Sequence, residues 1–484
     1  MLRINKTLIA VLLTAASFVA APALYADRYE RTFSRTQTYQ GGRISIDHSM
    51  GPVTVRTGSG NEVRVHALIR ASDSDIGKDI NVTVSQSSGS GITIRTDYPE
   101  MHFHGSFSIS YSVDLDVTMP ANAPLLVHNR FGSVDVTGIH AASEIVNAQG
   151  SVTLRDSRGT QRVENSFGSV SIENSAGDTT VQNANGNVRA ANVDGALGVT
   201  NRFGSVTATD THNVTIRNGN GSVELRDVAG NASIVDSFAS VTVSNISGDL
   251  ELNNQNGRVD VRDIKGRASI RNSFDSTEFA NIGRDLIISA NNGRVEGSHV
   301  GSGATITGSF DTISVRDING ATRITNANGN VTAVDIRGNL NIDTRFGLAR
   351  VELIKGTLDV DNANGGVTAT DVSGGARVHT SFAPVLLKTI AGRVTVENAN
   401  GSISVSDLRG ACSDINLKTS FASIKLDIPP NGGYHVDART SFGSITTSIP
   451  ILMTSKSDNT LTGTIGNGAC QLKLETANGG ITLE

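Results

Sequence analysis

An eighteen-residue repeat constrains this chain more than any other feature. A turn of form Asn-x-Phe-Gly-x-Val begins at Asn129, Asn165 and Asn201 and recurs with substitutions at Asp236, Asn272, Gly308, Thr344 and Thr380. Between these lies a second form, Asn-x-Asn-Gly-x-Val, at Asn183, Asn218, Asn254, Asn326, Asn362 and Asn398, with variants at Asn147 and Ala290. From 129 to 398 the step is 18 residues, except for one step of 17 between Asn201 and Asn218, so the two forms alternate over a 36-residue period. Self-similarity at a short fixed period is the mark of a solenoid or array, in which each unit buries its apolar face only against its neighbours.

Within a unit, apolar residues alternate with polar ones, as at Val241, Val243, Ile246, Leu250 and Leu252. That period of two belongs to short, half-buried strands, and two strands fit into each unit. The expected fold is therefore all-β: a parallel β-solenoid of 18-residue units alternating with a 36-residue period and capped at both ends. The rival is an antiparallel meander, because Asn-Gly pairs such as Asn185-Gly186, Asn328-Gly329 and Asn364-Gly365 are strong hairpin signals. The Phe-Gly turns lack that preference and favour the solenoid. Stacking rewards like on like, which favours a 36-residue coil with Phe over Phe on one corner and Asn over Asn on the other. At ~4.8 Å per coil this predicts a rod of about 50 Å, against about 95 Å for an 18-residue coil.

Two ladders follow from the repeat. One holds ten of the fifteen phenylalanines: Phe131, Phe167, Phe203, Phe238, Phe274, Phe310, Phe346, Phe382, Phe421 and Phe442. The other holds Asn185, Asn220, Asn256, Asn292, Asn328, Asn364 and Asn400. The Phe ladder is expected inside a coil corner as core, with an exposed aromatic binding strip as the alternative. A third column, of Asp156, Asp227, Asp263, Asp335, Asp371 and Asp407 with Asn192 and His299 in the same place, ends the second strand. All but Asp156 precede an apolar residue, and a Gly usually follows, which suits a side chain hydrogen-bonding at its own corner rather than Ca²⁺ ligation or glycan cleavage.

Composition sets the class and compartment. With 51 Gly, 4% aromatic residues, no Trp and 18% charged residues, the chain is neither a coiled coil nor a helix bundle. Residues 1–26 read as a signal peptide: Arg3 and Lys6 are followed by the apolar stretch Leu8 to Ala20, with cleavage expected after Ala26. The stretch falls short of the ~20 residues a membrane span needs, and no later segment qualifies. Charges are scattered and net acidic, which argues against nucleic-acid partners. Cys412 and Cys470 are the only thiols, an even number that in an exported chain allows a disulfide; two buried free thiols are the alternative.

The period breaks at both ends. Residues 27–128 read as an N-terminal β cap region, 129–410 as the solenoid repeats and 411–484 as C-terminal repeats and cap. The leader, the strand YSVDLDVTMPANAPLLV (111–127) running into HNRFGSVDVTG, the G-x-V repeats and the tail ASIKLDIPPNGGYHVDARTSFGSITTSIP resemble the bacterial adhesin-like domain family, a repeat-rich exported domain of unknown function. The resemblance implies a solenoid and no catalytic residues.

No nucleotide-binding loop, Ser-His-Asp elbow or reactive Cys setting is present. His102-x-His104 places two imidazoles on one strand face but lacks carboxylate or thiolate partners for a metal, so no metal and no cofactor are expected. These readings converge on a non-enzymatic exported solenoid, adhesin-like or a cell-envelope scaffold, located in the periplasm, at the cell surface or outside. Its expected partner is a protein or glycan surface. The alternative is a polysaccharide-binding or polysaccharide-degrading β-helix protein.

Overall fold

The computed structural model describes residues 29–87, 91–99, 110–429 and 432–484. The leader and His102-x-His104 lie outside the described residues. The chain is a parallel β-solenoid of about 17 turns, 69% strand and 1% helix. Its one described helix, Ser74–Asp79, is capped by Asp73, whose Oδ1 accepts from the amides of Asp75 and Ile76.

One coil shows how the pattern of alternation becomes a core. Leu250–Asn256 forms the first strand and Val259–Ile264 the second. Leu250, Leu252 and Asn254 point inward from one, Val259, Val261 and Ile264 from the other, and all are buried, while Glu251, Asn253 and Arg262 face out. Leu250 pairs in parallel with Ala232 on one side and Ala268 on the other, and Val259 pairs with Val241 and Thr277. Each step is 18 residues, so the coil is 18 residues long and the 36-residue coil favoured by like-on-like stacking is not formed. At ~4.8 Å per rung, about 17 turns make a stack of roughly 80 Å. Asn185-Gly186 joins the two strands of one coil, each of which pairs with other coils, so these turns are not hairpins.

The reason for the shorter coil lies in the first Asn of each motif, which both forms share. Asn129, Asn147, Asn165, Asn183, Asn201 and Asn218 are buried, and each Nδ2 donates to the next side-chain oxygen up the stack at 3.1–3.2 Å. The same Nδ2 also donates to the carbonyl three residues on, as Asn165 does to Gly168 at 2.9 Å. From Asn129 to Asp236 an amide ladder thus joins every 18-residue coil to the next, with no need for a double-length one. The single 17-residue step is absorbed by an irregularity between Val193 and Ala196, and the register resumes at Ala196↔Asn213.

Two backbone devices turn the coil. After the first strand comes a glycine such as Gly168, at φ 130°, where a Cβ would lie 2.2 Å from the Gly150 carbonyl oxygen. At the end of the second strand one residue per coil is left-handed, with φ 53–59° at Asp156, Asn192, Asp227, Asp263, Asp335, Asp371 and Asp407 and 61° at His299. Asp and Asn tolerate this region better than other non-glycine residues, which accounts for the acidic column.

Both ends are threaded out of chain order. Near the N-terminus, Ile44–Met50 pairs with Gly91–Asp97 on one side and Leu125–Phe131 on the other, so the early coil is inserted between later ones. At the other end, Cys470–Thr476 lies between Ile415–Thr419 and Tyr434–Thr440. Thr440 therefore stacks on Thr476 rather than on Thr419, although the motif spacing suggests the latter. Antiparallel strands lie outermost at each end: Tyr29–Thr38 on Glu62–Ala71, and Leu452–Lys456 on Thr460–Ile465.

Candidate binding edge

The phenylalanine ladder is not core. Phe167, Phe203, Phe238, Phe274, Phe310, Phe346, Phe382, Phe421 and Phe442 are 45–82% exposed, and Phe131 is half-buried. The seat lies two residues beyond the buried Asn, and successive residues of a strand point to alternate faces, but here the strand ends and the side chain leaves the edge. The asparagines expected to form a ladder of their own, Asn185, Asn220, Asn256, Asn292, Asn328, Asn364 and Asn400, occupy that same edge and are exposed or half-buried. The register reads Gln149↔Phe167↔Asn185↔Phe203↔Asn220, then Phe238↔Asn256↔Phe274↔Asn292↔Phe310↔Asn328↔Phe346. Phe and Asn therefore alternate up a single edge, with aromatic seats two rungs, or about 9.6 Å, apart.

The intervening amides are oriented. Asn185 Nδ2 donates to the Ser166 carbonyl at 3.2 Å, Asn256 Nδ2 to Ser237 at 3.3 Å and Asn328 Nδ2 to Ser309 at 3.3 Å. Each bond ties an Asn to the residue before a Phe in the preceding coil. Serines flank the aromatic seats, among them Ser166, Ser169, Ser237, Ser240, Ser273 and Ser276. The guanidinium groups of Arg130 and Arg202 lie over Phe131 and Phe203, each 5.6 Å from the ring centroid. Asp275 and Asp311 replace the turn glycine after Phe274 and Phe310, at φ 78° and 80°.

The left-handed column is knitted coil to coil. Asn174 Nδ2 donates to Asp156 Oδ1 at 2.8 Å, Asn245 to Asp227 at 2.9 Å and Asn281 to Asp263 at 2.8 Å. A groove of about 580 Å³ crosses this column over Asp263, Asn281, His299 and Asp317. In it, Arg337 and His299 each lie 3.3 Å from a different oxygen of Asp317, so both oxygens of that carboxylate are engaged. A second groove of about 910 Å³ runs along the outer face of the first strands, past Thr180, Gly198, Thr215 and Ser233. Among the described residues, no group of three or more His, Cys, Asp or Glu is placed to hold a metal ion, and no helix is long and apolar enough to cross a membrane.

Cys412 and Cys470 form a disulfide with Cα atoms 5.9 Å apart. It joins the turn before Ile415–Thr419 to the first residue of Cys470–Thr476, two strands that are stacked neighbours.

The fold and its edge define an all-β repeat protein with a periodic aromatic and amide surface. Residues 275–484 match the family described as Toastrack DUF4097. No curated protein matches the sequence. Among solved structures, a putative cell adhesion protein from Clostridium sporogenes ATCC 15579 is similar at 7% identity over 51% of this chain and 100% of its own, with a TM-score of 0.19. A putative adhesin from Parabacteroides merdae ATCC 43184 is similar at 9% identity over 68% of this chain and 96% of its own, with a TM-score of 0.16. TM-scores of this size do not establish a shared overall fold.

Proposed function

We propose that this protein is a non-enzymatic, exported binding solenoid of adhesive type, that its working surface is the Phe/Asn edge, and that its ligand is an extended, uncharged polysaccharide. The observation that carries this reading is that one seat holds Phe in one coil and Asn or Gln in the next. A seat that accepts Asn185 as well as Phe167 does not require an aromatic ring for folding, so the 36-residue alternation serves the surface. Aromatic faces at a regular ~9.6 Å, separated by amide oxygens and flanked by serine hydroxyls, suit a linear polymer that offers apolar C–H faces and hydroxyls in alternation. A lipid surface would favour a continuous apolar patch over one interrupted by Asn at every second coil. The disulfide is in keeping with an oxidising compartment and with the secretory leader read at residues 1–26.

The test is co-sedimentation of the purified protein with insoluble neutral β-linked glycans, alongside a triple variant Phe238→Ser, Phe274→Ser and Phe310→Ser. Retention of the native chain and its loss in the folded variant would support the reading. Equal retention of both, or no retention on any glycan, would overturn it.

A further inference from the structure

The buried amide ladder ends at one coil, and beyond it the Nδ2 groups of Asn254, Asn326, Asn362 and Asn398 donate to backbone carbonyls. From Asn147 to Asn218 each side-chain oxygen accepts from the Nδ2 of the coil before it. Asp236 takes the next seat. Its Oδ1 accepts from Asn218 Nδ2 at 3.1 Å, but a carboxylate has no N–H to pass on. Its Oδ2 is buried with no partner, and so is the Oδ1 of Asn254, its register partner in the following coil. Unpartnered acceptors thus occupy consecutive seats of one column at Asp236, Asn254 and Asn272, and only Asp236 among them can take up a proton to become a donor.

Rotating the Asn254 amide does not repair the break. Its Nδ2 donates to the carbonyls of Gly257 at 2.9 Å and Ala239 at 3.3 Å, and an exchange of N and O would set an oxygen against both. The same bond to the turn carbonyl of the preceding coil recurs at Asn272, Asn326, Asn362 and Asn398, so this amide orientation belongs to the later coils as a group. A hydrogen on Asp236 Oδ2 would give both oxygens a partner.

We propose that Asp236 takes up a proton from solvent and donates it from Oδ2 to Asn254 Oδ1, making this coil a pH-sensitive joint that is closed in acid and loosened at neutral pH. The surroundings agree. In the adjacent strands Val214–Asn220 and Leu250–Asn256 the charged side chains, Arg217 and Glu251, are exposed on the outer face. On the second strands of these coils the inward residues are Val223, Leu225, Val241 and Val243, all apolar and buried, while Glu224, Arg226 and Asp227 lie on the outer side. No opposite charge is present to hold the carboxylate form, and burial raises the Asp236 pKa to about 6 despite the Asn218 bond. Because the folded value lies above the ordinary one of 3.8, the stabilisation is complete below about pH 4 and is lost as pH rises through 6.

Hydrogen exchange on the full-length chain tests this, with Asp236→Asn as the comparison. Asn at this seat restores both bonds, as at Asn218 and Asn201. In the native chain, protection of amides in 232–256, corrected for intrinsic rate, should fall by up to about a hundredfold between pH 4 and pH 6.5, and the variant should show no such fall. A native-minus-variant infrared difference spectrum should also show one protonated carboxyl at pH 5 that disappears by pH 7.5. Equal pH dependence in the two chains, or no carboxyl band in the difference spectrum, would overturn the proposal. Should the variant fail to fold, loss of the carboxyl band in the native chain between pH 5 and pH 7.5, together with loosening confined to these coils, supports it; protection unchanged across that range refutes it.

Discussion

Phe167 and Asn185 are register partners in consecutive coils, side by side on the same edge of the solenoid. Their pairing shows that an aromatic ring and an amide are interchangeable to the backbone at this seat. Phe167→Asn should therefore leave stability within about 0.5 kcal/mol of the native chain, as exposed substitutions do. A buried Phe of similar size would cost about 3–5 kcal/mol on truncation, so a thermal melt separates the two cases. A large drop in the midpoint would return the Phe column to the core.

Leu353 stands in the left-handed column at φ 58°, where most coils place Asp or Asn. It is 37% exposed, so its side chain contributes little burial to offset the conformational penalty of about 1–2 kcal/mol. Leu353→Asn should stabilise the chain by roughly 1 kcal/mol. Calorimetry on the single variant checks this, and a lower midpoint would show that the leucine is held by contacts that outweigh its backbone strain.

These cases show which parts of the structure were legible in the sequence. The strands and the parallel stacking follow from local alternation and are present in the coils; the Asp column does stand at a left-handed corner, but its carboxylates accept from neighbouring coils and not from their own turn. The coil length was harder to read because it depends on which Asn is buried. Asn183 and Asn185 look alike in the motif Asn-Ala-Asn-Gly, yet one lies inside the core and the other on the rim. A clue was available: the first Asn is shared by both motif forms and recurs every 18 residues, whereas the second alternates with Phe. The exposed edge was missed for a related reason, since burial is the ordinary expectation for a repeated Phe. The threading of Cys470–Thr476 between earlier strands has no local signature at all, because pairing partners far apart in the chain are chosen by packing.

That threading gives the disulfide its role. Cys470 begins the inserted terminal strand, and Cys412 stands just before the strand on which it stacks, 58 residues earlier. Closing a loop of that length is worth about 4 kcal/mol in the chain-entropy model. Cys412→Ala with Cys470→Ala, or reduction with dithiothreitol, should loosen 427–484 while sparing the repeats before it, since solenoid coils depend on their nearest neighbours. Limited proteolysis should show early cleavage confined to that end. Uniform loss of structure along the whole chain would contradict this localisation.

His48 occupies the seat before Asn129 in the buried column and responds to pH in the opposite sense to Asp236. It is 2% exposed, with Nδ1 3.0 Å from Thr96 Oγ1, and burial lowers its pKa from 6.5 to about 4. The folded value lies below the unfolded one, so the unfolded chain binds more protons between about pH 4 and 6.5, and stability falls as acid is added through that window. The full effect is on the order of 3 kcal/mol and is absent above pH 7. His48→Asn removes the titrating ring and supplies an Nδ2 at the seat below Asn129 Oδ1, which is buried without a partner. Acid sensitivity of the N-terminal coils should therefore be weaker in this variant than in the native chain, read as local hydrogen-exchange protection of 44–50 and 125–131 at pH 4.5 against pH 7. With Asp236 acting in the other direction, the native chain should show a flatter profile between pH 4 and pH 6 than either single variant. A native profile steeper than both would mean that neither buried group controls acid stability.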